Sequence, residues 1–215
     1  MKKRVFVLIT IVISLIIYIV SSYVIVLPQK DSVLVLGIID GDLSFTHDNV
    51  INTVPLVEEG EKQHGDMILS FIEEYNCNVD IAYYDAENNN EISTKSLIEG
   101  LNWMIENNIK CVCISLSSDF YSEELETWIN EHSDTIKIYA SYNNSSNTLD
   151  YPAQHSNVIG VGADSKINYK SIDVRCKTNK IILYRQGIHI YKGNSYLAPM
   201  TMINDEGGKS VYEES

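Results

Sequence analysis

From residue 33 onward, short apolar runs alternate with stretches of helical periodicity, and this rhythm limits the fold more than any other feature of the chain. Val33 to Ile39 (VLVLGII) offers no polar face to water, so it reads as a strand covered on both sides. A helix is predicted over Gly65 to Tyr75, with Ile68, Leu69, Ile72 and Tyr75 on one side, and Val79 to Tyr84 (VDIAYY) is the next strand. Ser96 to Asn108 repeats the helical spacing through Leu97, Ile98, Leu101, Met104 and Ile105, and Cys111 to Leu116 (CVCISL) follows as a strand. Ser122 is a helix N-cap for a segment running to His132, before strands at Ile136 to Ala140 and Val158 to Val161. Strand and helix in this order predict an α/β domain with a mostly parallel central sheet and right-handed crossovers. Ligands of such sheets sit beyond the carboxyl ends of the strands, which directs attention to Asp40–Asp42, Ser115–Ser118 and Tyr142–Ser145.

The amino-terminal end has a different character. Val5 to Leu27 contains no charged residue, and Lys2, Lys3 and Arg4 precede it. A run of that length is predicted to be one transmembrane helix, with its basic flank cytoplasmic and the rest of the chain outside the cell membrane. The segment continues through Tyr23–Val26 without an A-x-A cleavage pattern, so residues 1–30 read as a signal anchor, with a cleaved signal peptide and a secreted product as the alternative. Residues 31–215 are then enough for one domain and too few for two. A formal net charge of −13 argues against nucleic acid as a partner, because that binding rests on neutralising phosphates. Cys77, Cys111, Cys113 and Cys176 form no C-x-x-C, and Cys111 and Cys113 share a strand face, so they read as small buried side chains. His47, His132, His155 and His189 show no pairing at metal spacing, and no metal or cofactor is expected.

Three segments carry candidate chemistry: IIDGD ending at Asp42, QHGD around His64, and GNSYLAP around Ser195. Asp, His, Ser is one of the chain orders in which a nucleophilic triad occurs. A serine hydroxyl needs a general base, and the imidazole that serves needs a carboxylate to hold its tautomer. Asp40 ends a buried strand, His64 opens a helix, and Ser195 precedes Pro199 at an expected helix start, where backbone N–H groups face a developing oxyanion.

With these segments the chain resembles the subtilisin-like serine proteases, the subtilases, from about Val33 to Pro199. IIDGDLSFTHDNV is similar to the family's Asp segment, with His47 and Val50 in place, and HGDMILSFI is similar to its HGTHVAGTI. IEGLNWMIENNIKCVCISLSS resembles the helix and substrate-binding strand, where Ser115 and Leu116 match and Ser117 replaces a glycine. ASYNNSSNTLDYPAQHSNVIGVGA resembles AAGNxG followed by YPAxxxxVIAVGA, and GNSYLAPM matches GTSMASPH at Gly193, Ser195 and Pro199. The resemblance implies a three-layer subtilisin-like fold and a serine endopeptidase acting on a peptide or protein substrate. It implies Asp40, His64 and Ser195 as catalytic residues, Asn143 as side-chain oxyanion donor, and Ser115, Leu116 and Ser117 as the substrate-binding strand. Tyr142 stands where the family has glycine and is expected to crowd the oxyanion hole. Asp66 is expected to lie near enough to His64 to perturb it. Gly207 and Gly208 cut the Ser195 helix short, which predicts uncovered apolar surface.

Two other readings of the same residues stand beside this one. The hhhhDxDxS pattern at Asp40 and Asp42 resembles the first motif of haloacid-dehalogenase-type phosphatases, with Asp40 as nucleophile, Asp42 as acid/base and bound Mg²⁺. A non-catalytic subtilase relative would keep the fold and bind peptide along Ser115–Ser117 by strand addition.

Overall fold

The computed structural model describes residues 9–16, 23–25, 34–47, 49–54, 61, 63–75, 79–88, 91–144, 150–162, 173–175, 181–184, 187–189 and 193–207. Lys2–Arg4, Cys77, Ser145 and Cys176 lie outside these residues. The described strands are β1 (Tyr23–Ile25), β2 (Leu34–Asp40), β3 (Val50–Val54), β4 (Val79–Asp85), β5 (Glu87–Asn88), β6 (Glu91–Ile92), β7 (Cys111–Ile114), β8 (Lys137–Ser141), β9 (Val158–Gly162), β10 (Asp173–Arg175), β11 (Ile181–Tyr184) and β12 (Gly187–His189). Four helices are labelled α1 (His64–Tyr75), α2 (Thr94–Glu106), α3 (Glu123–His132) and α4 (Asn194–Glu206).

Seven strands form a sheet in the order β10-β9-β8-β7-β2-β4-β3, parallel at every pairing. Helices α1 and α4 cover one face and α2 and α3 the other, so the domain has three layers. The alternation of β2 shows how: Leu36 and Ile38 join the α1/α4 core, while Ile39 joins the α2/α3 core. Gly37 is glycine for want of room, since a Cβ there would stand 2.7 Å from Met104 Sδ and 2.8 Å from Val112 Cγ2. Both described cysteines, Cys111 and Cys113, are buried free thiols.

The helices begin where local chemistry favours it. Ser93 and Ser96 form a reciprocal capping box for α2, and the Ser122 hydroxyl accepts the Leu125 N–H (3.2 Å) to start α3. Helix α4 departs from expectation in two ways. Pro199 lies inside it rather than in its first turn, and despite its early stop the helix buries every residue from Ala198 to Asn204 across β7, β8 and β9.

Of the apolar amino-terminal run, residues 9–16 and 23–25 are among those described. Residues 9–16 are helical, but Tyr23–Ile25 is a strand, paired in parallel with Ile181–Leu183. No helix among the described residues is long and apolar enough to cross a membrane.

Candidate active site

Strand β2 ends at Asp40, whose side chain is fully buried, and α1 starts at His64, whose side chain is 40% exposed. Their distance is 2.7 Å between Nδ1 and Oδ1. A carboxylate only accepts, so Nδ1 carries the proton and Nε2 is the nitrogen left to work. Oδ1 of Asp40 also accepts the Gly41 N–H (2.7 Å), whereas Oδ2 is buried with no partner among the described residues. The hydrogen bond to Asp40 raises the His64 pKa above the ordinary histidine value, and burial opposes it without cancelling it. The first turn of α1 can lie this close because residue 65 is glycine. A Cβ there would run into the Tyr83 hydroxyl, which itself donates to the Gly41 carbonyl, and would sit 2.9 Å from the Asp42 carbonyl.

Ser195 occupies the first turn of α4, half-buried. Its neighbour Tyr196 packs edge-on against Phe71 of α1 (5.6 Å between ring centroids) and donates to Met67 Sδ (3.9 Å), which brings the first turn of α4 against the His64 helix. Pro199 has no N–H to give to the carbonyl four residues back, and that carbonyl belongs to Ser195. The Ser115 hydroxyl fills the gap, donating to Ser195 O (3.2 Å) from the end of β7. The Ser195 hydroxyl itself makes no hydrogen bond with a described residue.

Beside Ser195, two adjacent asparagines meet the start of α4. The Asn144 side chain lies at the start of α4, where its Oδ1 accepts the Asn194 N–H (2.7 Å). Asn143 meets the same helix through its backbone carbonyl, which accepts from Asn194 Nδ2 (3.1 Å), and the Tyr142 carbonyl accepts from the same amide (2.9 Å). Gly193 makes the approach possible. Its φ of 128° lies in the region that favours glycine, and its missing Cβ leaves room for the Asn144 amide 3.0 Å away. Tyr142 does not crowd this place, because its ring is buried on the α2/α3 side against Gly160, with the hydroxyl donating to Ala153 O (3.2 Å).

The predicted substrate strand divides into parts. Ser115 is buried and holds Ser195, while Leu116 is partly buried against the α2/α3 core and Ser117 is exposed. The ladder of β7 ends at Ile114 and pairing resumes at Ser118 with Tyr151, so Ser115–Ser117 stands outside any described ladder. Asp66 faces away from His64 toward backbone N–H groups of residues 44, 45 and 63. Two contacts at this turn, those of Asn144 and Asn194, have no mark in the sequence.

No curated protein sequence matches the chain. A family model described as the subtilase family matches residues 60–206, a span that contains His64, Asn144 and Ser195 and starts after Asp40. Among solved structures, a cold adapted subtilisin-like serine proteinase superposes with a TM-score of 0.60 at 14% identity, covering 87% of this chain and 82% of that one. The prenylagaramide maturation protease PagA gives 0.58 at 15% identity, with 84% and 79% covered. The PatG macrocyclase in complex with peptide gives 0.55 at 16%, with 86% and 80% covered. At such identities the likeness is one of fold.

Proposed function

The chain belongs to the subtilase family, and from that premise we propose that it is a serine endopeptidase whose catalytic residues are Asp40, His64 and Ser195. The observation that carries the reading is the 2.7 Å contact between a half-exposed imidazole and a wholly buried carboxylate, at the end of a strand flanking the one that leads to Ser115. Ser195 Oγ attacks the substrate carbonyl carbon while His64 Nε2 takes its proton. The resulting oxyanion is stabilised by the Ser195 N–H and by Nδ2 of Asn144, whose Oδ1 is already anchored on Asn194. His64 then delivers the proton to the leaving amine, and water releases the acyl group by the same route in reverse. An extended peptide adds along Ser115–Ser117, where no described ladder takes the backbone groups. Short peptides are the proposed substrate class, since the structural likenesses include a maturation protease and a macrocyclase in complex with peptide.

Labelling of the full chain with a fluorophosphonate, beside Ser195→Ala and His64→Ala, tests the reading. Labelling of the parent alone is expected. A folded parent that does not label favours the second reading, a non-catalytic peptide-binding subtilase, which the unbonded Ser195 hydroxyl supports. The phosphatase alternative is set aside, because Oδ1 of Asp40 is taken up by Gly41 N–H and His64 and Oδ2 is buried, so neither oxygen is presented to an external electrophile. Membrane anchoring or export is proposed from Lys2–Arg4 and the uncharged run after them. Retention of the full chain in the membrane pellet after alkaline extraction distinguishes anchoring from secretion.

A further inference from the structure

Asp66 is wholly buried and two residues after His64, yet its carboxylate is not directed at the candidate triad. It accepts the N–H of Ser44 at both oxygens (3.2 and 3.1 Å) and that of Phe45 at Oδ1 (3.1 Å), and these residues belong to the loop that leaves Asp40. Oδ2 accepts the N–H of Gln63 (2.8 Å), so an acid in the first turn of α1 reaches back to the residue before the helix, half of a capping box. One buried carboxylate thus joins the segment that carries Asp40 to the turn that carries His64.

His47 closes the arrangement. Its Nε2 lies 3.1 Å from Asp66 Oδ1 and its Nδ1 3.1 Å from Glu73 Oε1, with the side chain 7% exposed. Carboxylates only accept, so a ring bonded to two of them through both nitrogens is an imidazolium, and its charge offsets the desolvation of Asp66. The ring also spans from the Asp40 loop to Glu73, nearly three turns along α1, which fixes the helix direction as well as its start.

We propose that Asp66, backed by His47, is a positioning residue that clamps the Asp40 loop to the first turn of α1 and so sets the contact between His64 Nδ1 and Asp40 Oδ1. Its consequence for rate rests on the protease reading; its consequence for His64 does not. The test uses the full chain, with NMR titration of the His64 ring, fluorophosphonate labelling rate, and the kcat and KM of any peptide the parent cleaves. Asp66→Ala is expected to bring the His64 pKa down toward the ordinary value and to slow labelling about tenfold or more, with KM little changed. Asp66→Asn keeps one acceptor oxygen and is expected to recover part of both. It also serves if the alanine variant does not fold. His47→Gln separates a clamp from a field effect: loss of a positive charge alone raises the His64 pKa, whereas loosening the clamp lowers it and slows labelling. Folded Asp66 variants with parental His64 titration and labelling overturn the proposal, and so does a raised His64 pKa with unchanged labelling in His47→Gln. A parent that does not label while its His64 titration still follows Asp66 sinks the protease reading and leaves the clamp in place.

Discussion

Asn143 and Asn144 are chemically identical and adjacent, and the Asn144 amide meets the turn that carries Ser195. Loss of a side-chain oxyanion donor in a site of this kind costs on the order of 10²–10³ in kcat. Asn144→Ala is expected to show a loss of that size with little change in KM. Asn143→Ala, which keeps the carbonyl that meets Asn194, is expected to stay within a few-fold of the parent; steady-state kinetics on one peptide compares the two. The His64 pKa is raised by its bond to Asp40, so the acid limb of the kcat/KM profile is expected above about pH 6.5. A limb at or below that value contradicts the pairing. Asp40, His64 and Ser195 were legible as candidates because each stands in its own segment with flanking residues that repeat a pattern. Asn144 and Asp66 were not, because their partners lie 50 and about 20 residues away and nothing local marks which side chain turns inward.

Helix α4 shows how an element can look inadequate in sequence and serve in the fold. It has 13 residues, but it lies over three strands and keeps Ala198, Met202 and Ile203 among the α1/α4 core. Met202→Ala is expected to destabilise the domain by about 2–5 kcal/mol, read from urea unfolding, because the side chain is fully buried between helix and sheet. The end of the helix is tied down as well: Tyr139 donates to Asp205 and Glu206 (3.0 Å each), and Lys137 pairs with Glu206 (2.8 Å). The strands buried on both faces were legible from their unbroken apolar runs. Strand β3 was not, since it is the sheet edge and a register shift between Val50 and Asn52 leaves Ile51 half exposed, so VINTV shows neither a buried run nor clean alternation.

Above about pH 6.5, titration of the shifted groups couples the stability of the molecule to pH in one direction. His64 and His47 both have raised pKa values: in His64 the bond to Asp40 leads, and in His47 the lowering by burial is outweighed by Glu73 and Asp66. A raised folded-state value gives stability that is complete below the unfolded pKa and is lost as pH rises through the folded one. Asp85 adds the same sign: burial first, then its neighbour Asp42, raise it to about 7, so its contribution is lost between about pH 4 and 7. His155, lowered chiefly by burial, acts oppositely and below about pH 6.5. Tm is therefore expected to fall from pH 6.5 to pH 8.5, by differential scanning calorimetry, and Asp85→Asn to raise it at pH 8.5 but not at pH 4. The sequence alone determined the layered α/β plan, the parallel sheet and the three residues offered as a triad, because burial and backbone chemistry write themselves into local periodicity and into the residues at strand ends. Tertiary structure alone decided that the Asn144 amide meets α4, that Ser115 answers the carbonyl freed by Pro199, and that Asp66 turns to the Asp40 loop. Each of these depends on where segments far apart in the chain meet, and no local pattern of residues carries that information.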